Sequence, residues 1–168
     1  ADPRSASGRV PAFRYNELRA TLDEQEIPYR DDVLDTVSLT LTTEYELRDY
    51  QMEALSAWQS AENRGVLELP TGSGKTVVAI VAMATLAEST LIVVPTIDLL
   101  DQWHRELQAE FGEQIGQLGG GEQRIEPITI STYDSAYLRA EDLGNRFGLV
   151  VFDEVHHLGA EGYQQIAR

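Results

Sequence analysis

Leu69-Pro70-Thr71-Gly72-Ser73-Gly74-Lys75-Thr76 sets two glycines, an ammonium and a hydroxyl at the spacing of a phosphate-binding loop. Gly72 and Gly74 permit backbone conformations that aim successive N–H groups at one anion. A helix opening at Lys75 adds the favourable end of its dipole. Lys75 would then reach the outer phosphates of a nucleotide, and the Thr76 hydroxyl would ligate Mg²⁺. The strict pattern asks for one more glycine where Leu69 stands, so the motif departs by one residue. A simple strand-to-helix turn has no need of Lys-Thr in the first helical turn. Lys75 is also the only lysine among 13 Lys and Arg residues.

A second candidate lies at Asp153-Glu154, directly after the apolar run Leu149-Val150-Val151-Phe152. A strand ending in an acidic pair is a Walker-B arrangement. The first acid, Asp153, holds the metal, and the second, Glu154, orients and deprotonates an attacking water. Both acids leave the carboxyl end of a parallel strand, where ligand sites of open α/β sheets lie. His156 and His157 follow. Adjacent histidines point in different directions and His104 lies on another element, so a structural metal site is not expected. One of the pair is expected to link the nucleotide to another surface.

The elements that must position these residues alternate. A polar tail precedes a helix over Phe13–Ile27, which Pro28 ends. Val37, Leu39 and Leu41 alternate like a short strand, and Arg48–Asn63 reads as an amphipathic helix. A strand is predicted over Gly65–Leu69, then a helix over Lys75–Ala87, a buried strand over Thr90–Val94 and a helix over Ile97–Phe111. Gly119-Gly120-Gly121 marks a sharp loop. Ile128–Ser131 reads as a strand, Asp134–Ala140 as a helix and Phe147–Phe152 as a strand, with a last helix beginning after it. Continuous apolar strands alternating with helices imply an α/β fold: a mostly parallel sheet with helices on both faces. A short N-terminal α/β extension covers 1–43, and the nucleotide-binding domain is expected over 44–168.

Composition narrows the function. The chain has 168 residues and no cysteine, which excludes disulfide scaffolds, zinc–thiolate sites and thiol nucleophiles. No apolar run reaches the ~18 residues of a membrane span, and no signal-peptide pattern opens the chain, so a cytoplasmic domain with no membrane partner is expected. The 28 Asp and Glu give a formal charge of −15, which disfavours a basic, salt-labile grip on nucleic acid. Near-absence of lysine with excess acid is expected of a protein adapted to molar salt, where a screening length of ~3 Å suppresses self-repulsion.

Taken together, Leu69–Thr76 and Asp153-Glu154-Val155-His156 resemble motifs I and II of superfamily 2 helicases, the second in its DEVH form. Leu47-Arg48-Asp49-Tyr50-Gln51 is similar to the Q-type motif upstream, and Val93-Val94-Pro95-Thr96 to motif Ia. The Gly119–Gly121 loop falls where motif Ib is expected, and Ser131–Tyr137 resembles the next motif that contacts nucleic acid. The runs ELRDYQ, LPTGSGKT, LIVVPT, STYDSAY, LGNRF and VFDEVHHL resemble archaeal XPB-type DNA helicases in particular, and the helix at Ala12–Tyr15 is similar to the end of that family's damage-recognition region.

The resemblance implies a RecA-like P-loop NTPase domain that uses ATP and Mg²⁺ and acts on DNA. Arg48, Gln51 and Pro70 to Thr76 would bind nucleotide, with Gln51 reading the adenine edge. Lys75, Asp153 and Glu154 would be catalytic, Thr76 and Asp153 would hold Mg²⁺, and His156 would couple the site to DNA. Pro95, Thr96, Gly120, Ser131 and Thr132 would touch DNA through neutral groups, the mode available to an acidic protein in high salt. For Thr96 an N-cap role stands beside DNA contact.

Motif III, the second RecA-like domain with its arginine finger, a thumb and an Arg-Glu-Asp motif are absent from these residues. The chain is therefore expected to be the first half of a motor, inactive or very weak alone, because an arginine finger is worth ~10³–10⁵ in rate. The other half is its expected partner, along with a nuclease or a repair or transcription protein. A DNA translocase subunit of a restriction system, or a nucleotide-gated binding module without processive unwinding, are the alternatives.

Overall fold

The run Thr90–Val94 (β1) has no polar alternation and is buried along its whole length, as a strand covered on both faces must be. In the computed structural model, which describes residues 10, 14–33, 35–70, 72–112 and 114–156, β1 is interior to the sheet. It pairs in parallel with Ile128–Thr132 (β4) and Leu149–Phe152 (β5). Ile115–Gly119 (β2) extends the sheet in parallel beyond β4, and Glu122–Arg124 (β3) closes that edge antiparallel to β2. The order is β3-β2-β4-β1-β5.

Successive side chains of β1 go to opposite layers. Ile92 and Val94 join Ile80 and Met83 of Lys75–Leu86 (α3) and Leu100, Trp103 and Leu107 of Ile97–Phe111 (α4). Leu91 and Val93 join Tyr133 and Ala136 of Tyr133–Leu138 (α5) and Leu143 of Ala140–Leu143 (α6). The expected sheet with helices on both faces is thus formed. The two helices of the first layer differ because their surroundings differ. α3 is apolar around most of its circumference and is sandwiched: Asp49–Ser60 (α2) packs on its far side, with Leu55 against Val78 and Ala82. α4 buries only Leu100, Trp103 and Leu107, one stripe at helical spacing, and leaves its acidic face to solvent.

Four local expectations are corrected. The strand predicted over 65–69 does not form: the segment is extended but pairs with no strand among the described residues. An apolar run becomes a strand only beside an edge that offers hydrogen bonds. Here the edge strand β5 stands across an open cleft from it. The residues around Val37, Leu39 and Leu41 make a single antiparallel bridge, Ser38 to Glu88, and seat Leu41 in the core. The helix expected over 13–27 is Tyr15–Glu24 (α1), with Phe13 outside the described residues. The helix predicted over 134–140 starts one residue earlier and breaks at Arg139 into α5 and α6.

The hairpin β2–β3 has no counterpart in the sequence reading. Gly116 and Gly119 weaken the strand signal of a five-residue run. Gly119, Gly120 and Gly121 form its turn with φ of +139°, +62° and +96°, a sequence of conformations that needs glycine. Gly116 is constrained by space: a Cβ there would lie 2.6 Å from Thr129 Oγ1 and 2.7 Å from the Arg124 carbonyl oxygen. Backbone cannot yield as a flexible side chain does. Gly116→Ala is therefore expected to destabilise the domain by about 3 kcal/mol, read as a shift of the urea midpoint at constant slope.

Candidate nucleotide site

The phosphate loop leads into α3 through Gly74, which occupies the N-cap position with φ +79° and ψ +38°. A Cβ at Gly74 would fall 2.6 Å from Gln51 Nε2, so conformation and close approach both select glycine. Gly72, at φ +78°, has open space where a side chain would be. The Ser73 amide donates to the Pro70 carbonyl at 3.2 Å, closing the turn. Lys75 Nζ donates to the Leu69 carbonyl at 3.2 Å. Ser73 Oγ is buried and has no hydrogen-bond partner among the described residues. Thr71, also expected to bind nucleotide, lies outside the described residues.

Helix α2 braces this loop. Gln51 is 4% exposed. Its Oε1 accepts the Arg48 amide at 2.9 Å, and its Nε2 donates to the Ser73 carbonyl at 2.8 Å. The same carbonyl accepts the Tyr50 hydroxyl at 2.8 Å. Both ends of the Gln51 amide are therefore engaged in holding the phosphate loop to α2. Reading an adenine edge would require it to exchange one of these bonds. Arg48 is the N-cap residue of α2. Tyr50 falls within the Q-type run, but no spacing signals a hydroxyl directed at the loop.

Asp153 immediately follows β5 and is held at four points. Its amide donates to the Val93 carbonyl at 2.9 Å. Trp103 Nε1 donates to Oδ2 at 2.9 Å, and the Glu154 amide donates to Oδ1 at 2.9 Å. The Tyr133 hydroxyl donates to the Asp153 main-chain carbonyl at 3.0 Å. Burial, followed by the charges of Asp153 and Glu154, pushes the Tyr133 phenol up to about 12. A raised phenol pKa keeps this donor intact below its ordinary value of 10.0, and the bond is lost only as pH rises through about 12. Glu154 itself sits at φ +51°, the left-handed region that a β-unbranched acid enters only when its surroundings impose it. His156 Nδ1 lies 3.4 Å from Glu154 Oε2, so the histidine touches the acid expected to activate water. His157 is outside the described residues.

Lys75, Thr76, Asp153, Glu154 and His156 all line one cleft of about 440 Å³, between the 65–69 segment and β5. Residues far apart in sequence are gathered here: β5 ends at Asp153 on the sheet, and the start of α3, packed between the sheet and α2, brings Lys75 and Thr76 to the same cleft. Among the described residues no cluster of three metal-binding side chains exists. A cation here would be held by Thr76 and Asp153 together with ligand phosphates, the usual arrangement for Mg²⁺. The Lys75 ammonium and Thr76 hydroxyl, facing the Asp153 carboxylate across this cleft, fit a Mg²⁺–nucleotide.

The residues expected to face DNA divide. A Cβ at Gly119 would lie 3.0 Å from Thr132 Cγ2, and one at Gly120 would lie 3.4 Å from Ile97 Cγ2, the residue after Thr96. The hairpin turn, the start of α4 and the start of α5 thus share one end of the sheet. Thr96 Oγ1 accepts the Leu99 amide and Thr132 Oγ1 accepts the Ser135 amide, each at 3.3 Å, so both threonines cap helices. Ser131 is fully buried, and its hydroxyl donates to the carbonyls of Leu118 and Thr132. Its side chain belongs to the interior of the sheet and not to the surface expected to meet DNA. Pro95 immediately precedes the α4 cap. No described helix is long and apolar enough to cross a membrane.

A mostly parallel sheet with a glycine loop entering α3 and an acidic pair at the end of β5 defines a RecA-like domain of the helicase type. The family described as "Type III restriction enzyme, res subunit" matches residues 44–168, and the "Xeroderma pigmentosum group B helicase damage recognition domain" matches residues 1–33. The chain belongs to the XPB helicase family. It is 48% identical over 158 residues to "DNA 3'-5' translocase XPB2" of Sulfurisphaera tokodaii, a match spanning 94% of this chain and 36% of that protein. It is 40% identical over 135 residues to "DNA 3'-5' helicase XPB" of Mycobacterium tuberculosis, spanning 73% of this chain and 24% of that protein. The chain thus spans about a third or less of the length of these curated relatives.

Proposed function

We propose that this chain is the nucleotide-binding half of an ATP-dependent DNA translocase or helicase. The observation that carries this reading is the single cleft lined by Lys75 and Thr76 on one side and by Asp153, Glu154 and His156 on the other. In that cleft Lys75 and the loop amides bind phosphate oxygens, Thr76 and Asp153 hold Mg²⁺, and Glu154 takes the proton of the attacking water. Mg²⁺ held by these residues would supply charge neutralisation at the phosphate oxygens. His156, beside Glu154, is the candidate link between hydrolysis and DNA.

The relatives' names support DNA as the substrate, and the match of residues 1–33 to a damage-recognition domain favours an XPB-type motor over a restriction translocase. We assign residues 1–43 to the end of that recognition region and 44–168 to the first motor domain. The second motor domain, with the arginine finger, would lie elsewhere in the full-length polypeptide. A formal charge of −15 disfavours a basic grip, so contact with DNA would fall to neutral donors such as helix N-termini and backbone amides, in a salt-adapted setting where charge pairing contributes little. In the full-length protein, duplex DNA is expected to stimulate ATP hydrolysis, and a triplex-forming strand is expected to be displaced as the motor advances. ATP hydrolysis indifferent to DNA would overturn the assignment.

A further inference from the structure

We propose that Trp103 and Tyr133 are positioning residues that lock Asp153 into the orientation a divalent cation requires. The proposal rests on the Mg²⁺–nucleotide site assigned above and adds to it two residues to which no motif gives a part in that site. The two approach from opposite layers of the fold. Trp103 belongs to the α3–α4 layer and is 3% exposed; Tyr133 belongs to the α5–α6 layer and is 2% exposed. Between them stands the first residue after β5, its side chain held by one donor at 2.9 Å and its main-chain carbonyl by the other at 3.0 Å.

The chemistry of the donors matters as much as their positions. The terminal torsion of an aspartate is broad, so an untethered carboxylate samples many orientations. Here each oxygen receives a donor of its own, the Trp103 indole on Oδ2 and the Glu154 amide on Oδ1. An ionised carboxylate offers about four lone-pair sites, so roughly two stay available for a cation or its water. Both outer donors are also neutral. An arginine in place of Trp103 would hold the carboxylate equally well, but would cancel the charge that attracts the metal. An indole N–H fixes geometry and leaves the negative charge in place.

Tyr133 adds rigidity along the chain. Its hydroxyl grips the carbonyl of Asp153, and its ring lies against Phe152 with centroids 6.2 Å apart. The peptide that sets the direction of the Asp153 side chain is thus pinned where the strand stops.

The test uses the full-length protein and a fluorescent mant-nucleotide, titrated in EDTA and then with increasing Mg²⁺. Trp103→Phe keeps an aromatic ring but removes the N–H. It should leave metal-free nucleotide affinity unchanged and raise the Mg²⁺ concentration at half-effect about tenfold, the usual consequence of losing an outer partner of a metal ligand. Tyr133→Phe should shift the same midpoint in the same direction. Steady-state ATPase should show the change in the KM for Mg²⁺ and little in kcat at saturating metal. A purely structural tryptophan would lower the melting temperature and leave the Mg²⁺ midpoint at its wild-type value; that result overturns the proposal. Should Trp103→Phe fail to fold, 3-benzothienylalanine at position 103 retains the bicyclic shape without the N–H, and the same shift is expected. Lys75→Ala, run in parallel, separates the two claims. Unaltered nucleotide affinity in that variant refutes the site itself, whereas lost affinity there with normal metal dependence in Trp103→Phe refutes only the positioning roles.

Discussion

Glu154→Gln in the full-length protein is expected to retain Mg²⁺–ATP binding and to lose ATP turnover by roughly 10²–10⁴-fold, the range for removing a general base. The substitution is nearly isosteric, so the left-handed backbone at φ +51° and its amide bond to Asp153 Oδ1 should survive. The amide can still orient a water, but it cannot accept the proton. Single-turnover hydrolysis separates the two contributions: affinity should match wild type while the chemical step slows. A Glu154→Gln enzyme that hydrolyses ATP at the normal rate would remove Glu154 from the reaction and redirect attention to His156, which lies 3.4 Å away.

Lys75→Ala is expected to act earlier, at binding. Lys75 bonds to the Leu69 carbonyl at 3.2 Å, an interaction it can exchange for phosphate oxygens without moving the backbone. Removing the ammonium leaves the phosphates with only loop amides and the helix end as donors. A hydrogen bond to a charged group contributes about 1.5–3 kcal/mol, which corresponds to a loss of roughly 10–150-fold in nucleotide affinity. Isothermal titration with ATP measures this directly. The rest of the fold should be unaffected, because α3 is anchored by Val78, Ile80 and Met83 and not by its first residue. Unchanged affinity would contradict the phosphate-loop assignment, while a broadly unfolded variant would contradict the account of what holds α3.

The motifs carry the site because phosphate chemistry demands particular residues at particular spacings. Gly74, Lys75, Asp153 and Glu154 could be named without coordinates, and so could the parallel sheet, since runs such as Leu149–Phe152 have no polar face to leave in solvent. Other features depend on tertiary partners that local patterns do not encode. The 65–69 segment has the composition of a strand and lacks a paired neighbour among the described residues. Ser131 lies within a motif-like run, yet its place in β4 turns it inward. Gln51 matches a nucleotide-reading position, yet its amide is occupied by Arg48 and Ser73. Trp103 looks like one more apolar residue in the stripe of α4; that its N–H meets a carboxylate 50 positions away is visible only once the sheet is assembled.

The unpaired 65–69 segment has a mechanical consequence for the loop it feeds. Downstream, Gly74 leads into a helix wedged between the sheet and α2. Upstream, the chain is extended, unladdered and in part open to solvent, with Val66 71% exposed. The loop is therefore fixed more firmly downstream than upstream, where Leu67 and Leu69 pack against the Leu55, Val78 and Ala82 cluster without a ladder beside them. A ligand that draws the loop amides inward is expected to shift the chain before Pro70 and to leave the register of Lys75 and Thr76 on α3 unchanged.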